Sequence, residues 1–499
     1  MYRHLERNRA AILADADAAA ADIGIPSELK GNIGLTGAVS GCHGLLVGEV
    51  ARALEASARK VIPNKTLDEE LREIVKDVYG DEYDAAAVST CEAALWVAFD
   101  SLVTPPFTGR GDNYRARYIA PYERHMHHQA GYGRPFPGKY KDLYADRGST
   151  SGEMGLYGKR QNNLDVVIVP LEGAKYECHG VKYHVAPLLM NVKPEESLKK
   201  IGGVARFHAD SLCAIASLGY DSPGYGYGVK DKEGVSVLQK GLGALAREFN
   251  VPYIVDNAWG VPFVGTDPRK IDADVMLYSA DKATLGPTAG LIIGKEESLV
   301  PIRRALGVHG ERWGTGASHG KAAYVTVDPG KEGLIGTIAA LKLLRDRPGV
   351  ITKPMEQIYQ IVMEEFKILD PKIRNGLVIT KAVNSGAVEI NYEGTWAKEQ
   401  MGLPIFPIED FYAGSELLMN CISKMGVIPT ITYDGNLYIS PGLGTTDENG
   451  ELMEKPMRYA IKAVARSLEI MAKWSGFTDE KVAAKKPATE KPAAAAQPA

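Results

Sequence analysis

Tyr278-Ser279-Ala280-Asp281-Lys282-Ala283-Thr284-Leu285-Gly286-Pro287-Thr288-Ala289-Gly290 runs on into the apolar Leu291-Ile292-Ile293-Gly294. A lysine therefore stands between an apolar strand and a turn rich in Gly and Pro, among small residues and with Asp281 as the adjacent acid. Such a lysine is partly desolvated and nucleophilic, suited to holding an aldehyde cofactor as a Schiff base. Upstream, Pro252-Tyr253-Ile254-Val255-Asp256-Asn257-Ala258-Trp259-Gly260 reads as a buried strand that ends on a carboxylate. These two segments alone leave open an ordinary buried Lys–Asp pair in an α/β core.

The chain of 499 residues is 45% apolar and 24% charged, an ordinary globular composition with room for two or three domains. A formal net charge of -4 gives no broad field for nucleic acid or an acidic membrane. Cys42, Cys91, Cys178, Cys213 and Cys421 are scattered without paired spacing, which speaks against a structural zinc site or a disulfide framework. The charged start, Met1-Tyr2-Arg3-His4-Leu5-Glu6-Arg7, is no secretory signal, and no run is apolar enough to span a bilayer. A soluble cytoplasmic protein with no membrane partner is expected.

Residues 1–65 read as a helical arm and a Gly-rich loop (Gly31 to Gly44) that leads into a helix over Leu45–Ala58. Over 66–345 strands alternate with helices: helix Leu67–Tyr79, strand Ala85–Ser89, helix Glu92–Leu102, strands Tyr118–Ala120, Val166–Pro170 and Leu212–Ala216, helix Ser236–Phe249, strands Tyr253–Val255 and Val275–Ser279. That alternation predicts an α/β domain around a mostly parallel sheet. A smaller α+β domain is expected over 346–478, with strands at Leu377–Ile379, Ala387–Ile390, Ile428–Tyr433 and Leu437–Ser440. The Gly/Pro/Tyr-rich stretch 131–160 reads as a long loop, a candidate lid, and the Lys/Pro/Ala tail 479–499 as disordered.

Two further elements join the strand-Asp and strand-Lys. Ala86-Ala87-Val88-Ser89-Thr90-Cys91-Glu92-Ala93 is a strand followed by hydroxyls at the start of a helix, a phosphate-binding arrangement that plain helix capping explains equally well. After strand Tyr118–Ala120 comes Pro121-Tyr122-Glu123-Arg124-His125-Met126-His127-His128, where a histidine ring can stack on a cofactor ring. A metal is the rival for that cluster, but with Glu123 as its carboxylate and no nearby Cys it is a weak ligand set, and no metal is expected. Phosphate loop, ring stacker, strand-Asp and strand-Lys, in that order, are the parts of a pyridoxal 5'-phosphate (PLP) site.

With these residues in place, the chain resembles fold-type-I PLP enzymes and, within them, the selenocysteine synthase (L-seryl-tRNA selenium transferase) family and its small-molecule lyase relatives. Ser279-Ala280-Asp281-Lys282 through Gly286-Pro287-Thr288-Ala289-Gly290 to Gly294-Lys295 is similar to that family's Ser-Gly-Asp-Lys-x-Leu-Gly-Gly-Pro-Gln-Ala-Gly segment. Ile302-Arg303-Arg304-Ala305-Leu306 and Gly330-Lys331-Glu332-Gly333-Leu334 resemble further family stretches. The resemblance covers about 85–345 and implies an aspartate aminotransferase-type large domain with a seven-stranded-type sheet. It implies Lys282 as the Schiff-base lysine, Asp256 as the pyridinium partner, Ser89, Thr90, Cys91 and Ser279 at the cofactor, and His125 as the ring stacker and a catalytic residue. Arg304 matches an arginine near the family's substrate site, with a surface helix position as the alternative. Asn436-Leu437-Tyr438-Ile439-Ser440-Pro441-Gly442 lacks the carboxylate-gripping Arg of many fold-type-I enzymes, which leaves Arg304 or Arg312 for that role.

The implied activity is a lyase or transferase working through an external aldimine on a β-substituted amino acid or related amine, by β-elimination or β-replacement. Retro-aldol cleavage, a selenocysteine-synthase reaction on aminoacyl-tRNA and a catalytically silent scaffold stay open. A homodimer or higher homo-oligomer is implied. The acidic balance makes tRNA the weaker substrate without excluding it.

Overall fold

The computed structural model describes residues 2–35, 46–103, 117–123, 134–135, 165–178, 185–308, 327–396, 402–405, 413–429, 432–433 and 435–478. The main sheet uses β1 (Tyr83–Val88), β2 (Arg117–Pro121), the two-residue β3 (Arg134–Pro135) and β4 (Asp165–Val169). A separate hairpin, β5 (Lys175–Cys178) and β6 (Val185–Leu188), intervenes before β7 (Leu212–Leu218), β8 (Tyr253–Asp256), β9 (Val275–Ser279) and β10 (Gly290–Lys295). The sheet order is β1-β10-β9-β8-β7-β2-β4-β3. Every neighbouring pair is parallel except those of β10, which runs antiparallel to β1 and β9. Seven full strands with one reversed, and β3 as an edge addition, form the mostly parallel sheet expected of the sequence.

Strands β7, β8 and β9 are buried at every position, as parallel strands covered on both faces must be. One face is covered by α4 (Asn64–Tyr79), α6 (Pro194–Phe207), α7 (Val237–Glu248) and α9 (Gly330–Asp346), the other by α5 (Cys91–Leu102) and α8 (Glu296–Ala305). The two-residue period of β2 shows the layering: Ile119 joins the first core, Tyr118 and Ala120 the second. Pro194 and the acids Glu195 and Glu196 open α6 where a helix N-terminus favours both, a signal that the sequence reading passed over.

A second, antiparallel sheet has the order β11-β12-β14-β13, from β11 (Val378–Ala382), β12 (Ala387–Asn391), β13 (Thr432–Tyr433) and β14 (Asn436–Ile439). It packs with α10 (Gly349–Glu365), α11 (Pro371–Asn375), α12 (Ala413–Lys424) and α13 (Glu454–Ser475). The same core takes in Leu5 of α1 (Tyr2–Arg7) and Ile12, Ala16 and Ile23 of α2 (Arg9–Ile23). His4 Nε2 meets the Trp474 carbonyl at 2.9 Å, and Trp474 Nε1 donates to Asp15 at 2.9 Å. Of the run 428–433, Ile428 makes an isolated bridge to Gly34 and Thr432–Tyr433 pair with β14. The helix expected from Leu45 starts three residues later, as α3 (Gly48–Ser57).

Candidate active site

Val88, Leu218, Asp256 and Ser279 end their strands on one edge of the main sheet, and the pairings Val88–Gly290, Gly290–Ser279 and Leu218–Asp256 fix them there. The strand order reverses direction between β2 and β7, and ligands of open α/β sheets bind outside the carboxyl ends near such a point. Lys282 lies in the turn directly after β9. That turn is closed by Lys282 N–H to the Ser279 carbonyl (3.3 Å), Leu285 N–H to the Lys282 carbonyl (3.2 Å) and Gly286 N–H to the Ala280 carbonyl (2.7 Å). The lysine is half-buried and lines a cleft, with Leu46, Leu285, Ile351, Ser385 and Ser440 on other walls.

Asp256 is 3% exposed and accepts from the Ala258 N–H at 3.1 Å, so its carboxylate is held at the strand end by backbone. Thr90 caps α5 in extended backbone, its Oγ1 accepting from the Ala93 N–H at 3.1 Å, while Ser89 N–H donates to the Val327 carbonyl at 2.7 Å. Burial, and after it the charge of Asp256, pushes the Cys91 thiol well above its ordinary value, with Lys282 pulling the other way. The pairings Val88–Gly290, Gly290–Ser279 and Asp256–Leu277 bring the Ser89-Thr90-Cys91 start of α5, Asp256 and the Lys282 turn to the same end of neighbouring strands. With its pKa raised, Cys91 stays a neutral thiol. Native protein is therefore expected to leave Cys91 unlabelled by iodoacetamide at about pH 8.5, where an ordinary thiol is half ionised, and to label it after denaturation. Peptide mapping reads the result, and rapid native labelling would contradict the buried placement.

The cluster depends on close backbone approach. A Cβ on Gly290 would lie 2.1 Å from the Thr90 carbonyl oxygen, so β10 comes this near the Ser89-Thr90 loop only with glycine. Gly290→Ala is expected to destabilise by about 1–3 kcal/mol, as overpacking does, and to displace the loop. Urea titration measures the first effect, and weakened cofactor uptake the second.

Ser279 Oγ donates to Asp281 Oδ1 at 2.6 Å, both residues buried, so its hydroxyl engages the acid beside Lys282. Arg304 sits on the exposed face of α8 and does not line the cleft, whereas Arg303 before it is 2% exposed and paired with Asp68 at 2.7 and 3.0 Å. His125, Arg312 and most of loop 131–160 lie outside the described residues, as does the tail 479–499. On the approach to His125, Glu123 is wholly buried and accepts from the Leu218 N–H at 2.8 Å and from the Tyr227 hydroxyl.

One long-range link was not legible in the sequence. Asn257, next to Asp256, exchanges side-chain hydrogen bonds of 2.8 and 3.2 Å with Asn384, next to the cleft residue Ser385. An asparagine beside the strand-Asp was visible, but its partner stands 127 residues away. Among the described residues no group of His, Cys, Asp or Glu is placed to hold a metal ion, and no helix is long and apolar enough to cross a membrane.

No family model and no curated protein matches the sequence. Solved structures match over most of the chain. The SepCysS–SepCysE N-terminal domain complex gives a TM-score of 0.50 at 14% identity, covering 89% of this chain and 96% of that one. The pyridoxamine-pyruvate aminotransferase of Mesorhizobium loti gives 0.48 at 13%, covering 91% and 99%. The aspartate aminotransferase of Thermus thermophilus gives 0.46 at 13%, covering 94% and 99%. At such identities the likeness is one of fold, in keeping with the α/β architecture around a mostly parallel sheet that the sequence led us to expect.

Proposed function

We propose that this chain is a PLP-dependent lyase or transferase that acts on a small amino compound, by β-elimination or β-replacement. The observation that carries it is the convergence of Lys282, Asp256 and the Ser89-Thr90 start of α5 on one sheet edge. The donor set fits the cofactor. A helix N-terminus with two hydroxyls suits a phosphate, and the Thr90 hydroxyl hydrogen is free to donate while its oxygen accepts from Ala93. A buried carboxylate suits a protonated ring nitrogen, and a half-buried amine suits an aldehyde carbon. When bound, PLP supplies an electron sink for charge that develops at the substrate's α carbon.

The remaining work falls to the chain. Lys282 Nζ holds the aldehyde end in the resting protein and moves the proton at the substrate's α carbon during turnover. Asp256, fixed by the Ala258 N–H, orients the ring. Leu285 and Ile351 on the cleft walls keep water from the reacting end. The same reading has the protein working as a homodimer or larger homo-oligomer. The net charge of -4 favours a small molecule over tRNA as substrate.

The test is the visible spectrum of the purified protein, followed by borohydride reduction and peptide mapping. A band that bleaches, with a pyridoxyl mass on the peptide that holds Lys282, supports the reading. No band after PLP is added overturns it.

A further inference from the structure

The cleft at Lys282 is built from segments far apart in the chain: Leu46-Val47 ahead of α3, Leu285 in the lysine turn, Val350, Ile351 and Pro354 of α10, Ser385-Gly386 between β11 and β12, and Ser440-Pro441 after β14. Its larger side chains are aliphatic or prolyl. Val47, Ile351 and Leu285 also belong to small apolar clusters under the cleft, so the wall is backed by hydrocarbon. Among the described lining residues Lys282 is the one cation and Asp281 the one anion. Asp281 already accepts the Ser279 hydroxyl, and Lys282 is assigned to the cofactor. The end of β14 reaches the cleft with a serine hydroxyl and a proline ring. On the described walls, recognition beyond the reacting amine then falls to apolar contact and to the Thr446 hydroxyl, since Ser385 Oγ already donates to the Ala382 carbonyl at 3.3 Å.

We propose, resting on the PLP reading above, that the substrate is an amine whose substituent is apolar, seated against Leu46, Val47, Leu285, Val350 and Ile351. A charged or strongly polar substituent there would lose water without a partner of opposite sign on the described walls. A hydrocarbon chain gains by leaving water, and the gain grows with each methylene that enters.

The experiment titrates cofactor-loaded protein with n-propyl-, n-butyl-, n-pentyl- and n-hexylamine, and with ethanolamine, aspartate and glutamate. Dissociation constants are read from the shift of the visible band, so no turnover is needed. Affinity is expected to rise roughly fourfold per methylene, about 60-fold from propyl- to hexylamine, with ethanolamine and the dicarboxylic amino acids weakest. Leu46→Ser is expected to weaken hexylamine by about tenfold and propylamine by less than about twofold. Val350→Thr, close to isosteric, is expected to lower the slope with chain length while leaving the thermal midpoint near wild type. A flat series, or tightest binding of aspartate or glutamate, overturns the inference and leaves the PLP reading intact. Failure of the protein to form the band at all overturns both.

Discussion

Lys282→Ala is expected to give a folded protein that shows no bleachable cofactor band and turns over at least about 10³-fold more slowly, since the proton-moving group and the aldehyde anchor are lost together. Stability is expected to change little. Lys282 is half-buried in a turn whose closing bonds are backbone to backbone, so alanine keeps the Ser279, Leu285 and Gly286 contacts. Lys282→Arg keeps the charge but forms no Schiff base, and is expected to match the alanine variant in rate. Added methylamine restores a reactive amine and is expected to rescue Lys282→Ala in part. Borohydride trapping, steady-state kinetics and a thermal melt on the same samples check the whole set. A Lys282→Ala protein with wild-type turnover would sink the assignment of the lysine.

Asp68→Ala is expected to cost about 3–5 kcal/mol of stability, the range for removing one partner of a buried ion pair. Arg303 donates to both Asp68 oxygens, to the Ala85 carbonyl at 3.1 Å and to the Val308 carbonyl at 2.5 Å, tying α4, β1 and the end of α8 together. Arg72 joins the group through Asp84 at 2.7 Å. Burial raises the Asp68 carboxyl above its ordinary value, and the guanidinium offsets this only in part. The folded state then holds that proton more tightly than the unfolded state. The contribution is fully present below about pH 3.9 and is lost as pH rises through the raised folded value. The ionised pair is therefore a poor source of net stability, yet losing Asp68 leaves the buried guanidinium to Asp84, whose Oδ2 lies 3.7 Å from Arg303 Nε and which Arg72 also engages. Asp68→Leu with Arg303→Met is accordingly expected to recover most of the loss. Urea midpoints for both singles and the double decide it, and a double no better than Asp68→Ala would refute the pairing account.

Residues 303 and 304 show where the sequence was legible and where it stopped. Two adjacent arginines on a helix of known phase differ only in which face they occupy, and that depends on where α8 lies against β1 and α5. Family likeness put Arg304 near the substrate, with a surface helix position as the alternative; its side chain is exposed on α8, beside the buried and multiply bonded Arg303. Strand-Asp, strand-Lys and the capped helix were readable because each is a local pattern: an apolar run ending on an acid, a lysine before a Gly/Pro turn, hydroxyls before an Ala-rich helix. The sheet followed from the same alternation. Strand ends moved by a residue or two where partners set them, as when β7 runs on to Leu218 to stay paired with Asp256. The Asn257–Asn384 exchange and the many-segment cleft were not readable, because they join positions far apart in the chain.

The seating of α2 bears on how the chain must fold. Its apolar face, Ile12, Ala16 and Ile23, has its partners in α12 and α13, so the first helices are made long before the surface that covers them. At about 5–20 residues per second, a helix finished at Ile23 waits roughly 20–90 s for α13 to leave the ribosome. The main sheet's strands are all synthesised within that interval and can close on themselves. The smaller core cannot, because it joins α1 and α2 to α12 and α13, which follow much later in the chain. Its completion is the late event, and until Glu454–Ser475 is made the apolar face of α2 lacks its α13 partner.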